Sequence, residues 1–147
     1  MRIKQEKVGH VKILFDFEED GGTQVESMWA VPVANGYKID NIPFYVREVA
    51  CEDVVSADLD TDGALHFVAL VAASGHSTVR LWFANEKDVI EVRESLRNMG
   101  CSSEMDLSRL VAVDIPPSIP YERVRAYLDQ LEREAVLEYE EACLGQT

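Results

Sequence analysis

The sequence feature that most restricts the fold is a two-residue alternation of apolar side chains, interrupted by turn signals. In residues 11–18, apolar side chains occupy every second position: Val11, Ile13, Phe15 and Phe17. Because successive side chains of a β-strand point to opposite faces, this period predicts a strand with one buried face. A second strand is predicted at residues 26–33, and Asn35-Gly36, a dipeptide suited to tight hairpin turns, follows it. The first half of the chain is therefore predicted to consist of short antiparallel strands.

The same pattern continues to residue 72. Further short strands are predicted at residues 37–40, 44–49, 53–59 and 64–72. The turn Asp60-Thr61-Asp62-Gly63 precedes the last of these strands, which carries apolar residues on both faces. Short strands broken by turn signals at this spacing are typical of a small curled sheet or barrel.

The second half alternates between strands and helices. Strands are predicted at residues 77–83, 101–105, 109–115 and 136–139. Between them lie two apolar stripes with the helical period, formed by Val89, Val92, Leu96 and Met99 and by Val124, Leu128, Leu131 and Ala135. The resulting order, β-α-β-β-α-β, is that of a ferredoxin-like split unit. In an alternative interpretation, residues 132–142 remain helical.

Four residues mark the expected ends of these helices. Asn85 is predicted to cap the first helix and Gly100 to end it. Ser118 is a candidate cap for the second helix, and Pro120 suits its first turn.

The predicted fold class is therefore α+β, with a small antiparallel β-barrel-like sheet fused to a ferredoxin-like split β-α-β unit. The expected division is a β-rich module at residues 1–73 and a ferredoxin-like module at residues 74–147. The strands on either side of Ser74-Gly75 are expected to form a hairpin that joins the modules into one compact unit. A chain of 147 residues suffices for one such unit.

Charge excludes two classes of partner. The chain carries 14 Lys and Arg residues against 27 Asp and Glu residues, a net charge of −13. Nucleic acid and anionic membrane surfaces attract basic proteins, so neither is an expected partner. Residues 1–7 are polar and lack the apolar core of a signal peptide, and the longest apolar stretch, residues 67–73, is too short to span a bilayer. We therefore expect a cytoplasmic protein.

No motif predicts a catalytic, cofactor or metal site. Asp58, Asp60, Asp62 and Gly63 resemble the opening of a calcium loop, but Ala69 stands where a bidentate Glu is required. Phosphate-binding and dinucleotide-binding fingerprints are missing, so no cofactor is expected. The three cysteines, Cys51, Cys101 and Cys143, lie far apart and are interpreted as reduced thiols.

The acidic residues fall into two clusters in the first half of the chain. One is formed by Asp16, Glu18, Glu19 and Asp20, the other by Glu48, Glu52, Asp53, Asp58, Asp60 and Asp62. Such clusters are commonly just a solvated surface, but they can also steer and orient a basic protein partner. The predicted contact residues are Glu18, Glu19, Asp20, Asp58, Asp60 and Asp62, with Trp29 and Tyr45 as aromatic anchors.

Several segments resemble a known family. They are Ile39-Asp40-Asn41-Ile42-Pro43-Phe44-Tyr45-Val46-Arg47, Asp53-Val54-Val55-Ser56-Ala57, Ser74-Gly75-His76-Ser77-Thr78, Val113-Asp114-Ile115-Pro116-Pro117 and Glu138-Tyr139-Glu140-Glu141-Ala142-Cys143-Leu144. Together they are similar to the small bacterial proteins of domain-of-unknown-function family 4265, over roughly residues 11 to 145. The resemblance implies a bacterial, cytosolic, stand-alone domain and carries over no catalytic residue.

These observations support three functional hypotheses. The first is a non-enzymatic immunity protein that occludes the active site of a cognate bacterial toxin, by analogy with other small acidic bacterial proteins. The second is a small-molecule-binding regulator or an enzyme that uses the cleft between the modules, with candidate residues His76, Ser77, Thr78 and Cys101. The third is an adaptor that inhibits a host enzyme such as a ribonuclease.

Overall fold

Five strands of the first half close into a barrel. The structure, a computed structural model, describes residues 9–146, and the polar segment considered above at residues 1–7 lies outside them. In order around the barrel, the strands are β1 (Val11–Glu19), β2 (Gly22–Val33), β3 (Gly36–Ile39), β4 (Val54–Leu59) and β5 (Leu65–Ala72). Neighbouring strands are antiparallel, except that β1 and β5 close the barrel in parallel through Ile13 opposite Leu65 and Leu14 opposite His66.

The alternation in β1 produces the barrel core as predicted. Ile13 and Phe15 are buried, while Val11 and Phe17 pack against the same cluster from its ends. The other strands contribute the buried side chains Met28, Ala30, Ile39 and Val55.

The prediction of a strand at residues 44–49 is wrong. Residues 40–53 form an irregular connection between β3 and β4, called here the connecting segment. Its backbone departs from an extended course at Glu48 and Glu52, which have φ angles of +66° and +67°. Val46 and Val49 nevertheless bury their side chains in the barrel core, so apolar residues are buried here without a strand.

The second half forms a four-stranded antiparallel sheet with two helices. The strands are β6 (Ser77–Phe83), β7 (Ser102–Leu107), β8 (Leu110–Ile115) and β9 (Leu137–Cys143), in the spatial order β7-β8-β6-β9. The helices are α1 (Val89–Asn98), which follows a 3-10 turn at Glu86–Asp88, and α2 (Tyr121–Arg133). Neither is long and apolar enough to cross a membrane.

One face of this sheet packs against both helices and forms a second core. Its buried side chains include Val79, Leu81, Phe83, Val92, Leu96, Val111, Val113, Val124 and Leu128. The opposite face carries the polar side chains of β6 and β9, and it lies against the connecting segment. The protein is therefore α+β and mostly β, with two helices, a closed five-stranded barrel and a second sheet.

The helix ends follow the sequence signals in part. The Asn85 side chain accepts a hydrogen bond from the Lys87 amide at 3.1 Å, and Gly100 ends α1 with a φ of +104°. Ser118 does not cap α2. Instead, the Gln146 side-chain oxygen accepts from the Tyr121 amide at 3.1 Å, a contact between residues 25 positions apart that no local pattern predicts.

Two further expectations are corrected. The hairpin around Ser74-Gly75 does not form, since β5 pairs with β4 and β1 while β6 pairs with β8 and β9. The buried Asp53 carboxylate holds the amide and hydroxyl of Ser74, each at 2.8 Å, and Gly75 turns the chain away with a φ of +89°. Residues 132–142 are not helical, because α2 ends at Arg133 and β9 follows.

The end of α2 yields a test of backbone strain. Ala135 adopts a left-handed φ of +59°, a conformation that costs a non-glycine residue roughly 1–2 kcal/mol. Ala135→Gly is expected to raise the free energy of unfolding by up to about 1 kcal/mol, after the added entropy of the unfolded chain is deducted. The matched change Ala126→Gly, at an exposed position inside α2, should lower it by about 1 kcal/mol. Urea denaturation measures the free energy of unfolding of both variants. A loss of stability in both would contradict the left-handed backbone conformation of Ala135.

Candidate binding groove between the barrel and the second sheet

The carboxylate of a barrel residue, Glu26, binds the backbone of the connecting segment through its amides. Glu26 lies on β2 directly opposite Phe15, so its side chain shares the inner face of the barrel. Its carboxylate accepts hydrogen bonds from three consecutive backbone amides, those of Phe44 at 2.7 Å, Tyr45 at 3.1 Å and Val46 at 3.0 Å. The carboxylate thus supplies the hydrogen-bond acceptors that the carbonyl groups of a neighbouring strand would supply in a sheet.

The guanidinium of a residue in the second sheet, Arg80, binds the same segment through its carbonyl groups. Arg80, on β6, is only 5% exposed. It donates to the carbonyl oxygens of Tyr45 and Val46, both at 3.1 Å, and to that of Pro43 at 3.4 Å. Its Nε donates to the carboxylate of Glu140 on β9 at 3.0 Å. Charged groups from two different sheets thus bind three amides, those of residues 44–46, and three carbonyls, those of Pro43, Tyr45 and Val46.

The clamped segment forms one wall of a groove of about 510 Å³, called here the acid–aromatic groove. Its other walls come from the end of β1 and from the open face of the second sheet. The lining residues are Phe17, Glu18, Glu19, Phe44, Tyr45, Arg47, Arg80, Leu81, Trp82, Leu110, Glu138, Tyr139 and Glu140.

Aromatic rings line the groove in a fixed arrangement. Phe17 stacks on Tyr45 with centroids 5.3 Å apart and planes 7° from parallel. The Tyr45 hydroxyl donates to Asp106 on β7, and this hydrogen bond together with partial burial raises the pKa of Tyr45 to about 12. Trp82 is 44% exposed, and the guanidinium of Arg109 lies 5.9 Å from its ring centroid. The groove therefore offers accessible aromatic surface on a rigid support.

The groove carries an excess of negative charge. Both of its cations are engaged by Glu140, since Arg47 donates to that carboxylate at 2.8 Å and Arg80 at 3.0 Å. Within residues 9–146, Glu18, Glu19 and Glu138 have no cationic partner. Carboxylates beside aromatic faces are the groups that bind Lys and Arg side chains, through charge-assisted hydrogen bonds and cation–π contacts.

The groove unites three of the residues predicted from the sequence. Glu18, Glu19 and Tyr45 line it, although Tyr45 is 26 positions from Glu19. Asp20 sits in the adjoining β1–β2 turn with a left-handed φ of +49°. These four residues lie at the end of the barrel that faces the second sheet.

The other predicted acids lie at the opposite end of the barrel. Because β5 runs parallel to β1 with Leu65 opposite Ile13, the turn that precedes β5 lies beside the beginning of β1. In this turn the Asp60 carboxylate accepts from the amides of Ala64 and Asp62 and contacts the His66 ring, contacts that lower the pKa of Asp60. Asp58 and Asp62 are exposed. Asp60 therefore shapes the turn, and none of the three reaches the acid–aromatic groove.

Trp29, the second predicted anchor, is mostly buried. The residue is 8% exposed, and its ring lies against His10, with the Lys12 ammonium 5.0 Å from the ring centroid. A more exposed aromatic residue is Trp82 on β6, which is not among the predicted contact residues.

The residues of the second hypothesis do not assemble into a catalytic group. His76 has Glu52 2.7 Å from Nε2 and Asp114 2.9 Å from Nδ1, so each ring nitrogen faces a carboxylate rather than a nucleophile. Ser77 is fully buried and accepts from the Gly145 amide at 3.0 Å. Thr78 is also fully buried, and its hydroxyl has no partner among the described residues.

The cysteines are free and poorly activated. Burial, with smaller contributions from nearby carboxylates, raises the pKa of Cys51 to about 12 and that of Cys101 and Cys143 to about 11. For Cys143, the responsible acids are Asp53 and Glu48 rather than its sequence neighbours. Cys101 is 2% exposed in the helix-side core. No cluster of His, Cys, Asp and Glu side chains in the described range is arranged to hold a metal ion.

Comparisons with known proteins give a family and a fold. The family model described as Domain of unknown function (DUF4265) matches residues 26–139. Among solved structures, the chain is similar to one described as "Novel crystal structure of a hypothetical protein from Neisseria gonorrhoeae". That match has a TM-score of 0.83 and 20% sequence identity, and it covers 97% of this chain and 100% of that chain. It shows a shared fold. No curated protein matches the chain.

The Arg80 contacts make a testable contribution to stability. Arg80→Ala removes the donor of three backbone carbonyls and one of the two donors to Glu140, which keeps Arg47, so the free energy of unfolding should fall by about 3 kcal/mol. Arg80→Lys should recover little of this loss, because one ammonium cannot reproduce the geometry of the guanidinium. Arg123→Ala, at an exposed position on α2, is the control and should change stability by no more than about 0.5 kcal/mol. An Arg80→Lys variant as stable as the wild type would overturn the argument.

Thiol labelling tests the state of the cysteines. Since burial raises the pKa of Cys101 and of Cys143 to about 11, well above the value of a free thiol, the fraction of each that is thiolate at pH 8 should be about a hundredfold smaller than for a free thiol. Iodoacetamide should therefore label the native protein very slowly and all three cysteines rapidly in urea, as followed by mass spectrometry. Rapid native labelling of Cys101 would support the second hypothesis instead.

Proposed function

The chain belongs to the family described as Domain of unknown function (DUF4265), and we propose that it is a non-enzymatic acidic binding protein. Specifically, it acts as an immunity protein that occludes the active site of a cognate bacterial toxin. The observation that carries this proposal is the acid–aromatic groove, in which three carboxylates that have no cationic partner within residues 9–146 adjoin accessible aromatic rings.

The chemistry of the groove defines the partner surface that it fits. Glu18, Glu19 and Glu138 supply acceptors for guanidinium or ammonium groups, while Tyr45 and Trp82 supply ring surface for their apolar stems. Toxins that act on nucleic acids or nucleotides need basic active sites to hold phosphate groups. A rigid acidic surface that enters such a site competes with the anionic substrate.

The charge of the whole chain supports the same proposal. A net charge of −13 creates a long-range field that accelerates encounter with a basic protein and orients it before contact. Arg80 and Glu26 fix the connecting segment in advance, so little conformational entropy is lost when a partner docks. Fast association and a preformed surface are both needed by a protein that must neutralise a toxin before it acts.

We also propose the finer assignments that accompany this function. The order β7-β8-β6-β9, with a helix after β6 and another after β8, supports a ferredoxin-like split unit in the second half. The two separate cores support a division near residues 73 and 74. The proposed site of action is the cytoplasm, where a toxin directed at nucleic acids meets its target.

Two other functions remain as distinct proposals. A groove of about 480 Å³ beside His76 favours the small-molecule-binding regulator or enzyme, and native mass spectrometry that detects a retained metabolite would support it. An adaptor that inhibits a host enzyme such as a ribonuclease would use the same acid–aromatic groove, but its target would be encoded elsewhere in the genome.

Co-expression tests the immunity function directly. The product of the neighbouring reading frame, when it is toxic to cells, should become tolerable if this chain is produced with it, and the two proteins should co-purify. If the chain neither restores growth nor binds that product, the immunity proposal fails. If the chain instead binds and inhibits a host enzyme that is encoded elsewhere in the genome, the adaptor function is supported.

Charge reversal locates the contact surface. Glu18→Lys combined with Glu138→Lys should slow association with the partner about tenfold at low ionic strength, with a smaller dependence on salt. Asp58→Lys combined with Asp62→Lys changes the net charge equally but at the far end of the barrel, so it should have a markedly smaller effect. Stopped-flow kinetics at several salt concentrations measures both pairs. Equal slowing by the two pairs would show that only total charge matters and would remove the groove from the interface.

A further inference from the structure

His76 connects the barrel side of the molecule to the second sheet. It lies between β5 and β6, and its Nε2 is 2.7 Å from the carboxylate of Glu52 in the connecting segment. Its Nδ1 is 2.9 Å from the carboxylate of Asp114 on β8. One imidazole is thus held between two carboxylates that belong to different parts of the fold.

The number of protons on the ring decides whether both contacts are favourable. A neutral imidazole has one N–H donor and one nitrogen lone pair, whereas an imidazolium ion donates from both nitrogens. An ionised carboxylate can only accept, so a neutral ring places its lone pair against one of the two carboxylates. The two hydrogen bonds therefore form together when the ring is protonated. Imidazole ordinarily changes its charge between about pH 5 and 8.

The two carboxylates differ in how well they tolerate loss of the ring as a donor. The side chain of Asp114 is 6% exposed, and among the described residues His76 is the donor to its carboxylate. Burial raises the pKa of Asp114, and the hydrogen bond from His76 opposes this rise. The side chain of Glu52 is 50% exposed, so its carboxylate can turn to water. When the ring loses a proton, the remaining N–H therefore stays with Asp114 and the contact with Glu52 is lost.

Six other charged or titratable side chains surround these three groups. They come from the connecting segment and β9: Arg47, Glu48, Cys51, Asp53, Glu141 and Cys143. Within the described range, none of them is hydrogen-bonded to the ring of His76. Arg47 is paired with Glu140, and burial raises the pKa of Cys51 to about 12 and that of Cys143 to about 11. Both thiols are therefore neutral where imidazole changes its charge.

We propose that Glu52, His76 and Asp114 form a proton-dependent clasp between the connecting segment and the second sheet. With the ring protonated, both hydrogen bonds hold the end of the connecting segment against β8. Loss of one ring proton releases Glu52, which lies at a backbone position with a left-handed φ of +67°. The stability that the Glu52 contact supplies is therefore present on the acidic side of neutrality and is lost as the pH rises.

The clasp is independent of the immunity function. The acid–aromatic groove includes none of the three residues of the clasp. The tests of the clasp use the chain alone, without a partner. Failure of these tests leaves the groove as a binding surface, and failure of the immunity function leaves the clasp.

Urea denaturation at two pH values tests the clasp. Glu52→Gln keeps the size of the side chain and removes its charge. At about pH 5.5 it should lower the equilibrium constant for folding about fivefold, because the protonated ring loses a half-exposed ionic partner. At about pH 9 this loss should vanish or reverse, because the Gln amide can donate to the lone pair of the neutral ring.

Glu48→Gln is the matched control for this experiment. Glu48 lies in the same segment with a similar φ of +66°, and it has no hydrogen bond to His76 within the described range. Its substitution removes the same charge, so its effect on folding should agree at the two pH values within about twofold. An equal effect of Glu52→Gln at both pH values, or the same pH dependence in Glu48→Gln, would overturn the proposal.

Nitrogen NMR of isotope-labelled protein shows which ring nitrogen carries a proton. At about pH 5.5 both nitrogens of His76 should be protonated, and at about pH 9 Nδ1 alone, because Asp114 retains that proton. His66 is the internal control, since its Nε2 is 2.7 Å from the carboxylate of Asp60 and its neutral form should keep the proton on Nε2. The His76→Gln variant assigns the signals. A neutral His76 with its proton on Nε2, or a ring protonated on both nitrogens at about pH 9, would contradict the clasp.

Discussion

The guanidinium of Arg80 is the contact on which the arrangement of the two sheets depends. It is buried, and it donates both to the connecting segment of the barrel and to Glu140 of the second sheet. A buried cation is costly unless its donors are satisfied, so Arg80 and the carbonyl groups of Pro43, Tyr45 and Val46 each require the other. Glu26 completes the arrangement, since it accepts hydrogen bonds from the amides of residues 44–46. A short irregular segment is thereby bound from two sides.

The acid–aromatic groove is a consequence of this contact. Tyr45 is held against Phe17 because its backbone is bound on both sides, and the open sheet face that carries Trp82 and Glu138 then becomes the opposite wall. Arg80 and Arg47 share Glu140, so among the described residues the other carboxylates of the groove have no cationic partner. The same interaction therefore sets the geometry and the sign of the charge.

Sequence patterns predicted most of the local structure and little of the groove. The strands and helices with clear periodicity were predicted close to their observed bounds, since alternation and stripes directly reflect burial on one face. Residues 44–49 contain apolar residues suited to a strand, but the carboxylate of Glu26 accepts from three of their amides in place of a strand partner, and it lies 18 to 20 positions away. Arg80 lies in the strand predicted at residues 77–83, between Val79 and Leu81, and this position does not indicate what it binds. Its partners lie 34 to 60 positions away, beyond the range of any local pattern.

The surroundings of the two acidic clusters distinguish them as binding surfaces. Glu18 and Glu19 line the groove beside Phe17 and Tyr45, where an opposite charge gains both electrostatic and dispersion energy. The carboxylate of Asp60 accepts hydrogen bonds from the amides of its own turn, so part of its acceptor capacity is used to shape the backbone. A basic partner therefore gains more at the groove end of the barrel than at the turn before β5, although both ends carry negative charge.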